Sequence, residues 1–202
     1  MSDTLLKILG LSLVACICLI GQNTAAQELL TRTPPDYEGP FYPVTKQQDE
    51  DNDLTRVAGR DGIADGDILN LAGVILNTMG EPQEGVTIEI WQTDPQGKYL
   101  HPGDSTPGKR DPDFQYWGRD ISDANGSFSF KTILPGAYHP RPAHIHYKLW
   151  LNGKNILTSQ IYFKNFLHET GNPSLTGQVD SQTVEPARIR EGVFKAFFRI
   201  VL

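Results

Sequence analysis

The 202-residue sequence predicts an all-β fold, a sandwich or a barrel, with an irregular N-terminal arm and long loops. Three observations point there. Short apolar runs recur with turn residues between them, the spacing of sequential strands. Within those runs apolar and polar side chains alternate with a period of two rather than 3.6. Helical periodicity is hard to find anywhere beyond the first 26 residues. The length suits one domain with a core large enough to fold alone.

Residues 1–26 read as a signal peptide. Lys7 precedes an almost unbroken apolar run over residues 8–20, and Thr24-Ala25-Ala26 puts small residues at the cleavage-specifying positions. The run is too short to span a bilayer comfortably, so no integral membrane span is expected after processing. Cys16 and Cys18 both lie in this leader, and the processed chain would have no thiol to pair. Leu13-Val14-Ala15-Cys16 also resembles a lipoprotein cleavage box, but residues 17–20 stay apolar where such a box turns polar. Export, secreted or periplasmic, is the expectation, with lipid anchoring at Cys16 the lesser alternative.

Residues 27–67 are rich in Pro, Asp, Gln and Gly and form the arm, with Gly39-Pro40-Phe41-Tyr42-Pro43 its one apolar knot. Asp49, Asp51 and Asp53 imitate the start of a calcium loop. Leu54 stands where that loop needs Gly, however, and Arg60 where it needs a bidentate Glu, so a solvated loop is expected. Residues 68–202 carry the β domain. Strands are read at 68–76, at Val86, Ile88 and Ile90, and at Phe128 and Phe130 after the Asn125-Gly126 turn. A further strand has Ile145, Tyr147, Leu149 and Leu151 on one face and His144, His146, Lys148 and Trp150 on the other. Asn152-Gly153 turns it into residues 156–163, and Phe194, Ala196, Phe198, Ile200 and Leu202 make a last stripe. Asn125-Gly126-Ser127 fits a glycosylation acceptor and a plain hairpin turn equally well.

Formal net charge is −6, and the leader removes one Asp and one Lys, leaving the balance unchanged. With no Lys/Arg block there is no electrostatic footprint for nucleic acid. A small-molecule partner is the better expectation.

The chemistry concentrates in Tyr138-His139-Pro140-Arg141-Pro142-Ala143-His144-Ile145-His146, with Tyr99 upstream. Histidines at i and i+2 of a strand point to one face, about 6.5 to 7 Å apart at Cα. The opposite face is apolar, so these imidazoles are not substitutes for core residues. By itself such a pair is a weak metal signal. The tyrosines sharpen it, because phenolate is a hard anionic donor suited to ferric iron rather than to zinc or copper(I).

These residues resemble the ferric-iron signature of the intradiol ring-cleaving dioxygenases: Tyr99 in Asp94-Pro95-Gln96-Gly97-Lys98-Tyr99, Tyr138 in Pro135-Gly136-Ala137-Tyr138, and Arg141-Pro142-Ala143-His144-Ile145-His146. The likeness extends to Gly39-Pro40-Phe41-Tyr42, Asn52-Asp53-Leu54, Leu71-Ala72-Gly73, residues 86–94, Asp123 with Gly126 and Phe130, and Gln160-Ile161-Tyr162-Phe163. It implies a two-sheet, prealbumin-like β-sandwich. It also implies non-haem Fe(3+) held by Tyr99, Tyr138, His144 and His146, and a catecholic substrate cleaved between its hydroxyls with O2 to a muconate-type diacid. Tyr138 would leave the metal and take a substrate proton. Arg141 would stabilise charge developing on the ring, with a surface ion pair as its alternative role. Gln160 would orient an oxygen ligand or, alternatively, tie two strands together. Gly39, Pro40 and Tyr42 would reach the pocket mouth, or else staple the sandwich edge.

The chain departs from the family in three places. Only five residues separate Tyr138 from His144, which trims a loop beside the site. Tyr116-Trp117-Gly118 stands where glycines are expected on both sides of one residue. No long helical N-terminal region is present, so homo-oligomer formation is left open and the dimerisation mode of the catechol-cleaving enzymes is not carried over. Two other functions compete: a secreted, non-catalytic prealbumin-like binding module, and a cupin-like enzyme drawing on His168 and Glu169. His101 and His139 are competing ligands, and Trp91 and Trp150 are expected to be packing residues.

Overall fold

The computed structural model describes residues 28–45, 49–138, 140–164 and 180–202; the leader, His139, His168 and Glu169 lie outside them. The described residues form a two-sheet sandwich without an α-helix, and none of their helices is long and apolar enough to cross a membrane. The strands are β1 (Ile68–Leu76), β2 (Thr87–Gln92), β3 (Trp117–Ile121), β4 (Ser127–Ile133), β5 (His144–Leu151), β6 (Lys154–Phe163), β7 (Thr183–Val184), β8 (Ala187–Arg190) and β9 (Val193–Val201). One sheet has the order β4-β1-β9-β8 and the other β3-β2-β5-β6-β7. Neighbours run antiparallel except β1 with β9 and β6 with β7.

Alternation builds the core. Leu69, Leu71 and Ile75 of β1, Phe128 and Phe130 of β4, and Ala196, Phe198 and Ile200 of β9 meet Ile88, Ile90, Ile145, Tyr147, Leu149, Leu157 and Ile161 of the facing sheet in one buried cluster. Each such residue contributes about 1.5–3 kcal/mol by leaving water. Gly73 is where the inner face is tightest, because a Cβ there would lie 2.3 Å from the Phe128 ring and 2.4 Å from the Phe198 carbonyl oxygen.

Three strands carry no apolar alternation and escape a reading of the sequence. β3 reads Trp-Gly-Arg-Asp-Ile, with Ile121 59% exposed; β7 has two residues, and all four of β8 are exposed. Tyr116, just before β3, has φ 63°, the left-handed region that normally selects glycine. That accounts for the missing glycine in Tyr116-Trp117-Gly118: the position keeps its backbone geometry. The Tyr116 phenol then donates to Asp94 Oδ2 at 2.8 Å and its ring packs on Phe114. Gly118 remains obligatory, since a Cβ would meet the Asp51 carbonyl at 2.5 Å.

The arm is irregular, as expected, and it is bonded along its length. Thr33 N–H donates to Val201 O, Asp36 N–H to Thr158 O and Leu54 N–H to Lys131 O, at 2.9, 2.9 and 2.8 Å. Leu54 is fully buried in the core. Asp53 bridges to β4 through Lys131 Nζ at 3.0 Å and accepts the Thr55 hydroxyl at 2.5 Å. Burial pushes the Asp53 carboxyl up, but the bonds from Thr55 and Lys131 outweigh it and hold the pKa below the usual value. A carboxylate depressed in the folded state stabilises above its unfolded pKa of about 3.9 and loses that contribution as pH falls. Asp53→Asn is expected to lower Tm at neutral pH and to flatten the fall of Tm below about pH 4, as read by thermal melts from pH 7 to 3. Parallel curves for parent and variant would dismiss the arm-to-sheet tether.

Candidate metal centre

Strand β5 places the histidines. Its inward residues belong to the core, so His144 and His146 stand on the outer face of the five-stranded sheet, 2% and 1% exposed. Register fills the rest of that face. His146 lies between Trp91 of β2 and Gln160 of β6, and His144 lies opposite Tyr162.

The tyrosines come from two loops zipped together. Asp94 begins the first: its backbone N–H donates to Lys98 O at 2.9 Å, and its Oδ1 accepts Gln96 and Lys98 N–H at 3.0 Å each. Gly97 completes the turn with φ 78°, and a Cβ there would lie 2.3 Å from the Ala137 carbonyl oxygen. Only glycine lets the Tyr138 segment approach this closely. Gly136 N–H donates to Asp94 O at 3.0 Å and Thr93 Oγ1 to Gly136 O at 2.7 Å. Tyr99 is then fixed by its N–H to Asp104 Oδ2 at 2.6 Å and by Arg110 Nε on its carbonyl at 2.9 Å.

Four potential donors converge. Tyr99 Oη lies 3.3 Å from His144 Nε2, and the two Nε2 atoms are 3.0 Å apart. The Tyr138 ring stands 5.5 Å from that of Tyr99 and 5.7 Å from that of His144. His144 Nδ1 sits 2.7 Å from Pro142 O. The carbonyl can only accept, so Nδ1 carries the proton and the Nε2 lone pair faces inward. Burial, with Arg141 beside it, pushes the His144 pKa down to about 3 and that of His146 well below the ordinary value. Both rings are therefore neutral near pH 7. Burial also raises both phenols, Tyr99 strongly, with Asp104 adding to each. Without a cation, protons bridge these atoms, with the Tyr99 hydroxyl facing His144 Nε2 at 3.3 Å and the two Nε2 atoms 3.0 Å apart; a cation would replace those protons and take the same lone pairs. The donor types, two N and two hard O, fit ferric iron. The described residues contain no group of three His, Cys, Asp or Glu that could hold a metal, so this candidate depends on the phenols.

Around the donors the predicted residues divide. Arg141 Nη2 donates to Gln160 Oε1 at 2.5 Å and Tyr162 Oη at 3.1 Å, so its guanidinium is bound to neutral oxygens. Its buried Nε has no partner among the described residues. Gln160 is fully buried, and its Nε2 donates to Tyr37 O at 2.5 Å; its amide ties Arg141 and the arm to β6. Gly39 passes over the site, where an added Cβ would lie 3.2 Å from His146 Cε1. Pro40 is exposed. Tyr42 packs edge-on against Trp91 at 5.0 Å and donates to Glu89 Oε2 at 2.7 Å under Lys148 Nζ, 3.7 Å from its ring centroid. His101 is outside the cluster: its Nδ1 accepts Gly103 N–H at 3.0 Å.

Three contacts have no signal in the sequence. Phe41 packs on Tyr99 and Tyr138 with centroids 5.0 and 6.0 Å away. Trp91 stacks on His146 at 4.8 Å and 6°, so the expected packing residue orients a candidate ligand. Tyr162 Oη donates to Asp36 Oδ2 at 2.9 Å.

Comparison with known proteins finds dioxygenases. The model of the dioxygenase family (Dioxygenase_C) matches residues 37–184. The protocatechuate 3,4-dioxygenase beta chain of Burkholderia cepacia is 36% identical over 137 residues, covering 63% of this chain and 58% of that one. The catechol 1,2-dioxygenase of Acinetobacter baylyi is 30% identical over 155 residues, covering 68% and 48%. The chain thus spans about half the length of the curated relatives it matches. Among solved structures, the dioxygenase domain of a dioxygenase carbohydrate-binding protein fusion from Streptomyces sp. SirexAA-E superposes with TM-score 0.64 at 27% identity, covering 85% of this chain and 98% of that one. An intradiol ring-cleavage dioxygenase from Tetranychus urticae shares the fold at TM-score 0.65 and 20% identity, covering 85% and 94%. With the family model covering most of its length and these relatives beside it, the chain belongs to the intradiol ring-cleavage dioxygenase family.

Proposed function

We propose that this chain is an exported non-haem Fe(III) dioxygenase that opens a catecholic ring between its two hydroxyls, adding both atoms of O2 to give a muconate-type diacid. The convergence of Tyr99, Tyr138, His144 and His146 carries the reading. Two buried imidazoles with their Nε2 atoms 3.0 Å apart, set beside two phenols, make a mixed nitrogen and hard-oxygen donor set of the kind that suits ferric iron. The residues would divide the work as follows. His144 and His146 supply neutral nitrogen donors held by the Pro142 carbonyl and the Trp91 ring. Tyr99, pinned at its backbone on both sides, is the fixed phenol. Tyr138 is less buried than Tyr99, and it is the phenol with room to swing aside and accept a proton from a substrate hydroxyl. A ferric ion held by this set would draw electron density from a bound catecholate, so that the ring itself reacts with dioxygen and no outside reductant is needed. Arg141 keeps a buried Nε–H without a partner among the described residues and its charge is felt at His144 and Tyr138, so this fixed cation would stabilise negative charge developing on the ring.

Iron-loaded protein is expected to be red-brown from phenolate-to-iron charge transfer, to change colour with catechol under anaerobic conditions, and to consume one O2 per ring opened. Tyr138→Phe is expected to shift the absorption band and slow substrate deprotonation in stopped-flow mixing. A colourless, iron-free protein that leaves catechol intact would overturn the function.

Arg141→Ala is expected to keep the colour while turnover falls about 10²-fold, the scale of removing one preorganised charge. Parental turnover in that variant would remove Arg141 from the chemistry.

Export is part of the same proposal. Intact mass of protein expressed with its own leader is expected to place the new N-terminus near Gln27; a lipidated Cys16 would replace that reading with anchoring.

A further inference from the structure

We propose that Asp36, in the arm, is a positioning residue for Arg141 and acts through Tyr162; the proposal rests on the catalytic reading of Arg141 given above. The Tyr162 side chain is buried, its ring 5.9 Å from that of His144. Its single hydroxyl proton has two acceptors within reach, Asp36 Oδ2 and Gln160 Oε1, each at 2.9 Å. A carboxylate outcompetes a neutral amide for that proton, and Gln160 Oε1 already accepts Arg141 Nη2 at 2.5 Å. With its proton committed to Asp36, the Tyr162 oxygen presents lone pairs to Arg141 Nη2 at 3.1 Å. The guanidinium is thereby gripped at Nη2 by two oxygens, which leaves the buried Nε without a partner among the described residues.

Asp36 is itself held in place. Its N–H donates to Thr158 O at 2.9 Å, its Oδ1 accepts the Tyr37 N–H at 2.6 Å, and Ser159 Oγ donates to the neighbouring Pro34 carbonyl at 2.9 Å. The carboxylate also offsets part of the cost of half-burying the guanidinium without forming an ion pair that would cancel its charge. Losing Asp36 would free the Tyr162 proton to turn to Gln160 Oε1, the oxygen that holds Arg141. Arg141 would then lose one acceptor and share the other.

The test uses the full chain loaded with iron, with Asp36→Ala and the near-isosteric Asp36→Asn made in the parent and in an Arg141→Ala background. In the parent, Asp36→Ala is expected to lower kcat about tenfold, as misplaced catalytic groups do, with KM for catechol and the visible absorption band unchanged. In the Arg141→Ala background the same change is expected to have no further effect. Nitrogen NMR of gallium-loaded protein supplies a readout independent of turnover. The Arg141 Nε–H should be sharp and slowly exchanging in the parent, and broadened in Asp36→Ala and Tyr162→Phe. Undiminished loss of kcat in the Arg141→Ala background, or an unchanged Nε–H signal, would overturn the positioning role while leaving the dioxygenase reading intact. A parent protein without colour or oxygen uptake would instead overturn the function on which it rests.

Discussion

Strand β5 has to face two environments at once, and the period of two is what allows it. Ile145, Tyr147 and Leu149 are driven into the sandwich by their apolar surface, and that fixes which way His144 and His146 must point. A slip of one residue would bury two imidazoles against Leu71 and Phe198 and expose three large side chains to the site. The core therefore sets the register of the candidate ligands more strongly than any contact within the site does.

Once the histidines stand on the outer face, register sets Trp91, Gln160 and Tyr162 beside them, and the remaining components arrive by close backbone approach. The Tyr99 turn and the Tyr138 segment meet because Gly97 and Gly136 leave no Cβ between them. The arm crosses at Gly39 for the same reason, close to His146. The sheet supplies rigidity and the loops supply the phenols, which would suit the proposed chemistry, in which one donor is released while the others hold still.

The sequence reveals the parts of this arrangement that repeat or alternate. β1, β2, β4, β5, β6 and β9 announce themselves because one face of each is apolar. β3 and β8 do not, since Ile121 and Ile189 point to solvent and the partner positions are charged or small. Tyr99, Tyr138, His144 and His146 can be picked out as a candidate donor set only through the family resemblance of the segments that carry them, since the His-x-His spacing by itself is a weak signal. Their supporting shell cannot, because Asp36, Phe41 and Trp91 lie far from them in sequence, and only the fold of the arm and the β2–β5 register bring them near. Gln160 shows the limit most clearly. Its type fits two roles, and only the bonds to Arg141 and Tyr37 O show which groups it holds.

Burying Tyr99 and two imidazoles beside the half-buried Tyr138 and Arg141 is costly, and the cost explains the density of bonds around them. Each polar atom left without a partner in such a place costs about 1–3 kcal/mol, and His146 Nδ1 and Arg141 Nε have none among the described residues. A surface of this kind does not persist through its own interactions. It is held by the sandwich beneath and by the arm above, so stability made elsewhere is spent on keeping lone pairs and one N–H unsatisfied. In the proposed function, groups held in that state would need little reorganisation when a cation and a substrate bind.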